Sequence, residues 1–203
     1  KYLISGSVSE FNSAPNGDIK TVNTYTFRST DPIISSSVAF NSAQLIPNAT
    51  YYPQTGSLIY DVNGNASQIN AEPGKTSAIY DYDKSLVVAN AMNASIDDIA
   101  YSSFEAINSG GVVSQQTNTG GWLINPGSTI VTDRSLTGKF SFSGRLDKTV
   151  AHQGNYTVTL WGHSWGTVTA NGQAGTMVAN VGDWRLFKWD LTNVSSVAIL
   201  ADN

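Results

Sequence analysis

The sequence predicts an all-β protein made of antiparallel hairpins, and two observations support that prediction. Apolar and polar residues alternate with a period of two along several stretches, most clearly between residues 154 and 202. Short clusters of Gly, Asn, Asp and Pro separate these stretches, as expected for turns between strands. No apolar run in the 203 residues is long enough to span a bilayer as a helix.

Composition narrows the classes of function. Charged residues make up 13 % of the chain, whereas about 25 % is typical of soluble domains. The net charge is −4, and the sequence contains no basic stripe. Both observations argue against nucleic acid and anionic membranes as partners. Because there is no cysteine, disulfides, thiol nucleophiles and thiolate zinc sites are excluded. A surface that is polar without being charged is common in extracellular β-proteins, so we expect a secreted or cell-surface location.

The stretch from Gly154 to Asp202 predicts three or four strands and holds four of the five tryptophans. On its first strand one face is apolar and the other more polar, with Tyr156, Val158 and Leu160 opposite Thr157, Thr159 and Trp161. On its last strand Phe187, Trp189 and Leu191 repeat the same period, next to the charged residues Arg185, Lys188 and Asp190. We therefore expect large rings turned inward between two sheets.

The first hundred residues contain three turn signals. Residues 12–18 predict a hairpin turn, and a short strand is expected at Ser37 to Phe40. Two Tyr-Asp pairs begin at Tyr60 and Tyr80, and each Asp is expected to accept from backbone N–H groups two residues on. Asn63-Gly64 predicts a tight hairpin. Residues 89–98 predict a short helix.

The Tyr-Asp segments resemble the end of a bacterial RHS/YD-repeat protein. The matching residues are Tyr60, Asp61, Gly64 and Asn65, then Tyr80, Asp81, Tyr82 and Asp83, then Ala100, Tyr101, Ser103, Phe104 and Glu105. The sequence departs from the repeat in two ways: its turn Asp61-Val62-Asn63-Gly64 is not an Asp-x-x-Gly flanked by charge, and no tryptophan lies beside Asp81. The resemblance implies YD-repeat-like hairpins over residues 1–100 and a chain that is part of a larger polypeptide.

From Trp122 onward the chain resembles a carbohydrate-binding-module-like jelly roll. The matching segments are residues 138–142, 156–161, 182–184 and 187–191. This resemblance implies a β-sandwich over residues 101–203, with Phe104-Glu105 in its first strand and the glycine-rich residues 109–121 as a loop. It also implies one further strand after Asn203.

Candidate ligand-binding residues lie near a predicted hairpin tip, where Trp161, His163 and Trp165 occur together. Exposed indoles stack on the C–H face of a sugar ring, and flanking polar groups take its hydroxyls. The alternative is that Trp161 belongs to the core and Trp165 caps the hairpin. Arg185 and Lys188 are candidates for contact with an anionic glycan, or they form an ordinary solvated face.

The acidic residues and the two histidines are the candidates for a metal site or a catalytic site. In the jelly-roll modules that the chain resembles, an early Phe-Glu and a late Asp often share a structural calcium, which implies Glu105 and Asp202 as ligands. The alternative is that both are surface carboxylates. The two histidines, His152 and His163, lie in no recognisable nucleophile motif. No pair of carboxylates is placed across a cleft by pattern, so we expect a non-enzymatic protein.

The leading expectation is a binding or structural part of a large secreted or cell-surface bacterial protein, with a glycan as ligand. One alternative is a structural shell segment of an RHS/YD-repeat toxin or cargo-enclosing protein. Another is an accessory fragment of a glycan-degrading enzyme, which requires two close carboxylates or a His-Tyr pair in a groove. Five Asn-x-Ser/Thr sequons matter only if the source glycosylates them, namely Asn48, Asn65, Asn93, Asn155 and Asn193.

Overall fold

A computed structural model describes residues 2–3, 5–34, 49–82, 84–107 and 109–202. Within these ranges the chain forms seventeen strands, and the pairings are antiparallel. The prediction of an all-β fold with antiparallel sheets is therefore confirmed. The short strand expected at Ser37 to Phe40 lies outside the described residues.

The strands of the first half are short or of medium length. They are β1 Tyr2–Leu3, β2 Ser7–Ser13, β3 Ile19–Thr26, β4 Ile33–Ile34, β5 Gln54–Tyr60, β6 Ala66–Ala71, β7 Gly74–Asp81 and β8 Leu86–Met92. Two 3-10 helices follow, at Ile96–Asp98 and Glu105–Ile107.

The second half contains two much longer strands among shorter ones. They are β9 Gly111–Val112, β10 Thr117–Thr119, β11 Trp122–Ile124, β12 Thr129–Val131, β13 Ser141–His163, β14 Thr167–Ala170, β15 Gln173–Ala174, β16 Thr176–Val181 and β17 Trp184–Asp202. No helix among the described residues is long and apolar enough to cross a membrane.

The chain divides into two compact units. The first comprises residues 1–78 and 90–95, and the second comprises residues 79–89 and 96–203. The assignment of 1–100 to YD-repeat-like hairpins and of 101–203 to a sandwich stays a prediction.

Six strands form a sheet in the order β2-β3-β5-β6-β7-β8. The turn between β2 and β3 places Gly17 at a φ of +89°, which glycine adopts without strain. Between β5 and β6, Asp61 Oδ1 accepts from the backbone N–H groups of Asn63 and Asn65 at 2.8 and 2.9 Å. Both hairpins and the role of Asp61 agree with the sequence prediction.

The predicted helix over residues 89–98 is wrong. Its first four residues belong to β8, which lies beside β7 in the sheet, and Asn93 leaves the strand with a φ of +60°. Only Ile96–Asp98 is helical, as a single 3-10 turn. Cross-strand pairing thus overrides the local helix preference of this alanine-containing segment.

The second unit is built on the pairing of β13 with β17. These strands of 23 and 19 residues pair from Gly144↔Ala201 to His163↔Trp184. On the outer side of β13, β11 and β12 pair with its first half. On the outer side of β17, β16 pairs with its first half and β14 with its last residues.

The alternation predicted for this ribbon is confirmed. Val158, Trp189 and Leu191 are buried, whereas Thr157 and Asp190 are exposed. The core of the unit also includes Ile124, Ile130, Phe142, Leu146, Ala170, Val197 and Ile199. Residues 154–202 contain the end of β13 and four further strands, more than the three or four expected.

Two details of the sandwich prediction are wrong. Phe104 and Glu105 form no strand: Phe104 has a φ of +64°, and Glu105 begins a 3-10 helix. The Phe104 ring instead stacks on Phe142 at a centroid distance of 5.2 Å, so packing on the core decides the local backbone. The glycine-rich residues 109–121 include the short strands β9 and β10 rather than only a loop.

Replacing Leu146 by Ala should destabilise the second unit by about 2–5 kcal/mol, because the lost methyl groups leave a cavity in a packed core. Leu146 is 2 % exposed and pairs with Ile199, which is also 2 % exposed. Urea unfolding followed by tryptophan fluorescence measures this, since all five tryptophans lie in that unit.

Leu200→Ala is the matched control. Leu200 follows Ile199 on β17 but is 52 % exposed, so its truncation should change the free energy of unfolding by less than about 0.5 kcal/mol. Equal losses for the two variants would contradict the inward and outward faces described for the ribbon.

Candidate functional site

An open groove on the second unit collects the most promising set of side chains. Its volume is about 620 Å³, and loop residues 132–135 and 138–140 line it together with His163 and Trp184. This volume lies in the usual range of ligand sites. We call it the aromatic groove.

Strand register places the groove residues His163 and Trp184 side by side, and the turn that follows brings Trp165 next to them. His163 ends β13 and pairs with Trp184, the first residue of β17. Trp165 lies in the turn between β13 and β14, where the Gly166 N–H donates to the His163 carbonyl oxygen. The His163 ring therefore meets two indoles edge to face, with centroid distances of 4.6 Å to Trp165 and 5.3 Å to Trp184.

Trp165 is the most exposed large aromatic residue of this cluster. It is 74 % exposed, although its indole is among the most apolar side chains available. The Arg134 guanidinium carbon lies 5.6 Å from the centroid of its ring, within cation–π range. Trp165 packs on His163 in the turn between β13 and β14, so the alternative in which it caps the hairpin stays a prediction beside the ligand-binding one.

The loop that forms the other wall is held by Glu105. Its Oε1 accepts from the backbone N–H groups of Lys139 and Phe140 at 2.8 and 2.9 Å. Gly138 has a φ of +75°, and a Cβ atom there would collide with the Glu105 carboxylate. The 3-10 helix that begins at Glu105 thus fixes the backbone from which Lys139 reaches the groove.

The structure brings only part of the predicted ligand-binding set together. Trp161 is half-buried on β13, two residues before His163 and on the same strand face, but it does not line the groove. Arg185 is exposed and pairs in register with Gly162 and Asn180. Lys188 forms an ion pair with Asp190 at 2.9 Å, which fits a solvated face.

The calcium expected between Glu105 and Asp202 stays a prediction. Asp202 lies at the end of β17, opposite Thr167 of β14. In the described part of the chain no three His, Cys, Asp or Glu side chains group in a way that could hold a metal ion. The role that the geometry gives Glu105 is the support of the groove loop described above.

A second polar cluster surrounds the bend of β13. The pairing with β17 shifts register between Thr149 and Tyr156. At this bend Asp98 accepts from the His152 backbone N–H at 3.0 Å and from the Tyr156 hydroxyl at 3.2 Å. The His152 Nδ1 lies 2.6 Å from the other carboxylate oxygen of Asp98. This cluster ties the 3-10 helix at residues 96–98 to β13 and does not line the aromatic groove.

Burial and hydrogen bonding shift the pKa of Asp98 in opposite directions. Desolvation alone would raise the pKa of Asp98, but hydrogen bonds from His152 and Tyr156 outweigh it and bring the pKa below its ordinary value of 3.8. Burial lowers the pKa of Lys148, which the charges of Asp97 and Asp98 partly counteract. The carboxylate of Asp98 is therefore favoured in the folded protein.

Sequence reasoning missed the loop wall of the groove. Asp133, Arg134 and Lys139 lie in a segment whose pattern suggested only a strand at residues 138–142, whereas β13 begins at Ser141. Trp184 is half-buried at the start of β17 and lines the groove as well. The cluster of Asp133-Arg134 with Gly138 is a loop signal, yet nothing in it indicates that the loop faces residues 163 and 184.

Comparisons with known proteins add no assignment. No family model matches the chain, and searches of curated proteins and of solved structures found no match. The resemblances to RHS/YD repeats and to carbohydrate-binding modules therefore stay predictions.

The Asp98 cluster predicts a pH dependence. Because the folded-state pKa of Asp98 is depressed, its contribution to stability is complete above the ordinary value of 3.8 and is lost as pH falls through the lower folded value. Asp98→Asn should lower the free energy of unfolding by about 1 kcal/mol near neutral pH. The difference from wild type should disappear towards about pH 2.

Urea titrations at several pH values between about 7 and 2, followed by tryptophan fluorescence, measure this difference. Asp183→Asn is the control, because Asp183 is exposed in the turn between β16 and β17. A gap between wild type and Asp98→Asn that persists unchanged at the lowest pH would show that the carboxylate charge contributes nothing.

Proposed function

We propose that the second unit binds a glycan in the aromatic groove, as part of a larger secreted or cell-surface bacterial protein without catalytic activity of its own. The observation that carries this proposal is the exposed indole of Trp165, which contacts His163 and Arg134 beside a groove lined mostly by polar side chains. An exposed indole held beside a groove offers a flat apolar surface on which a sugar ring can stack.

The chemistry of the groove suits a sugar. The face of an indole packs on the apolar C–H face of a pyranose, while hydroxyl and charged groups bind the sugar hydroxyls. Thr132 and Ser135 supply hydroxyls, and Asp133 and Arg134 supply an acceptor and donors. His163 holds Trp165 by edge-to-face contact, which limits the entropy that the ring loses on binding.

The proposal also includes the fold of the second unit. A long β13–β17 ribbon that buries one face and leaves the other polar supports a jelly-roll sandwich of the carbohydrate-binding-module type. Fold likeness does not itself assign a ligand, so the weight rests on the groove.

Trp165→Ala should reduce glycan affinity at least tenfold, because it removes the stacking surface. A glycan array identifies ligands of the wild-type chain, and isothermal titration then compares the variants. Met177→Ala is the matched control, since Met177 is 55 % exposed on the same unit but does not line the groove. No binding by wild type to any arrayed glycan would remove the glycan assignment, and equal binding by Trp165→Ala would remove the assignment of that binding to the aromatic groove.

A second role, for the first unit, is favoured by a separate observation. Three strand residues on one face of the six-stranded sheet are apolar yet 45–70 % exposed, namely Phe11, Ile19 and Ile59. Among the described residues the buried apolar set of this unit is small, with Phe27 and Tyr52 forming its cluster. We propose that this unit is a segment of a larger YD-repeat-type β shell, whose neighbouring strands cover these side chains.

The shell proposal predicts that the isolated chain exposes an apolar surface on its six-stranded sheet. The chain should bind a dye for apolar surface such as anilinonaphthalene sulfonate, and a Phe11→Thr, Ile19→Thr, Ile59→Thr variant should bind severalfold less. Leu200→Thr serves as control, because Leu200 is exposed singly on the second unit. Absence of dye binding by the wild-type chain would count against a covering neighbour.

A further inference from the structure

We propose that the ligand of the aromatic groove is an acidic glycan, whose carboxylate or sulfate group is bound by Arg134 and Lys139. This inference rests on the proposed glycan binding and specifies the chemical class of the sugar. It starts from the charges that line the groove: two cations, Arg134 and Lys139, and one carboxylate, Asp133. The chain as a whole carries a net charge of −4, whereas cations outnumber carboxylates among the residues that line the groove.

Arg134 is placed to bind an anion next to the stacking ring. Its guanidinium carbon lies 5.6 Å from the centroid of the Trp165 ring, so the cation and the indole are neighbours, and an acidic sugar that packs on the open face of the ring can also engage Arg134. Those nitrogens form the fork that binds a carboxylate or sulfate in a bidentate manner.

The existing partner of Arg134 holds it weakly. The closest approach joins Arg134 Nε to Asp133 Oδ1 at 3.6 Å, longer than a hydrogen bond. The two side chains are 42 % and 70 % exposed, so water screens their attraction. Because they are neighbours in sequence, a ligand anion can compete for the guanidinium without breaking a buried pair.

Lys139 approaches from the other wall on a fixed backbone. Glu105 Oε1 accepts from the Lys139 and Phe140 backbone N–H groups, and its carboxylate is therefore already engaged by two donors. Lys139 is exposed and is one of the residues that line the groove. A fixed loop backbone reduces the ordering that the lysine needs when it binds an anion.

Two cations beside a stacking surface distinguish acidic from neutral sugars. A neutral sugar can use Trp165 and the groove hydroxyls, but it leaves the cations without a charged partner. An acidic sugar adds a charge-assisted hydrogen bond at Arg134 and Coulombic attraction at Lys139. We expect about tenfold tighter binding of the acidic sugar at low salt, and a smaller preference as salt screens the exposed charges.

The test uses isothermal titration of the whole chain with three matched probes. These are a galacturonic acid oligosaccharide, the same oligosaccharide with its carboxyl groups reduced to alcohols, and a sulfated galactose oligosaccharide. Arg134→Gln and Lys139→Gln should each weaken binding of the acidic probes about fivefold or more and leave the reduced probe unchanged. Arg185→Gln is the control, since Arg185 is an exposed cation of the same unit that does not line the groove.

The outcomes separate this inference from the function on which it rests. Preference for the galacturonic acid probe assigns a carboxylate, and preference for the sulfated probe assigns a sulfate ester; either one supports the inference. Equal binding of acidic and reduced probes that Trp165→Ala abolishes would overturn the inference and keep glycan binding. Equal losses with Arg185→Gln would reduce the effect to the overall charge of the chain and overturn it as well. Failure of all three probes to bind would overturn the inference, while glycan binding itself is decided by the array.

Discussion

The pairing of β13 with β17 is the interaction on which the second unit depends. The two strands pair over most of their residues. Their shared alternation turns one row of side chains, which includes Leu146, Trp189 and Ile199, into the core. The same alternation leaves the opposite row to solvent. A slip of one residue would exchange the two rows, so burial of the core holds the register. That register also sets His163 opposite Trp184 at the end of the ribbon.

The groove is therefore supported by elements that are far apart in sequence. One wall is the end of the ribbon, which the core makes rigid. The other is the loop at residues 132–140, held by Glu105 through two backbone hydrogen bonds. Phe104, the neighbour of Glu105, stacks on Phe142 of the core. Core packing at Phe104 thus positions the carboxylate that in turn positions Lys139.

The bend of β13 needs its own support. At the register shift between Thr149 and Tyr156, backbone groups leave the regular ladder. Asp98 accepts from the His152 N–H there and brings the 3-10 helix against the strand. This polar contact is distinct from the groove in both place and chemistry. The hypothesis of a glycan-degrading enzyme requires a His-Tyr pair in a groove or two close carboxylates. His152 and Tyr156 form such a pair, but both are bound to the Asp98 carboxylate and neither lines the aromatic groove.

The sequence by itself determined the fold class, the hairpin turns and the inward rows of the ribbon, because period-two alternation and turn residues act over a few neighbours. It also singled out His163 and Trp165. Only the tertiary structure decided that Arg134, Lys139 and Trp184 join them, since strand pairing and loop packing connect residues up to fifty positions apart. The same non-local contacts placed Glu105 in a 3-10 helix that supports a loop, where a strand was expected, and made a strand of four residues expected to be helical. Local preferences are worth about 1 kcal/mol or less per residue, and burial in a core outweighs them.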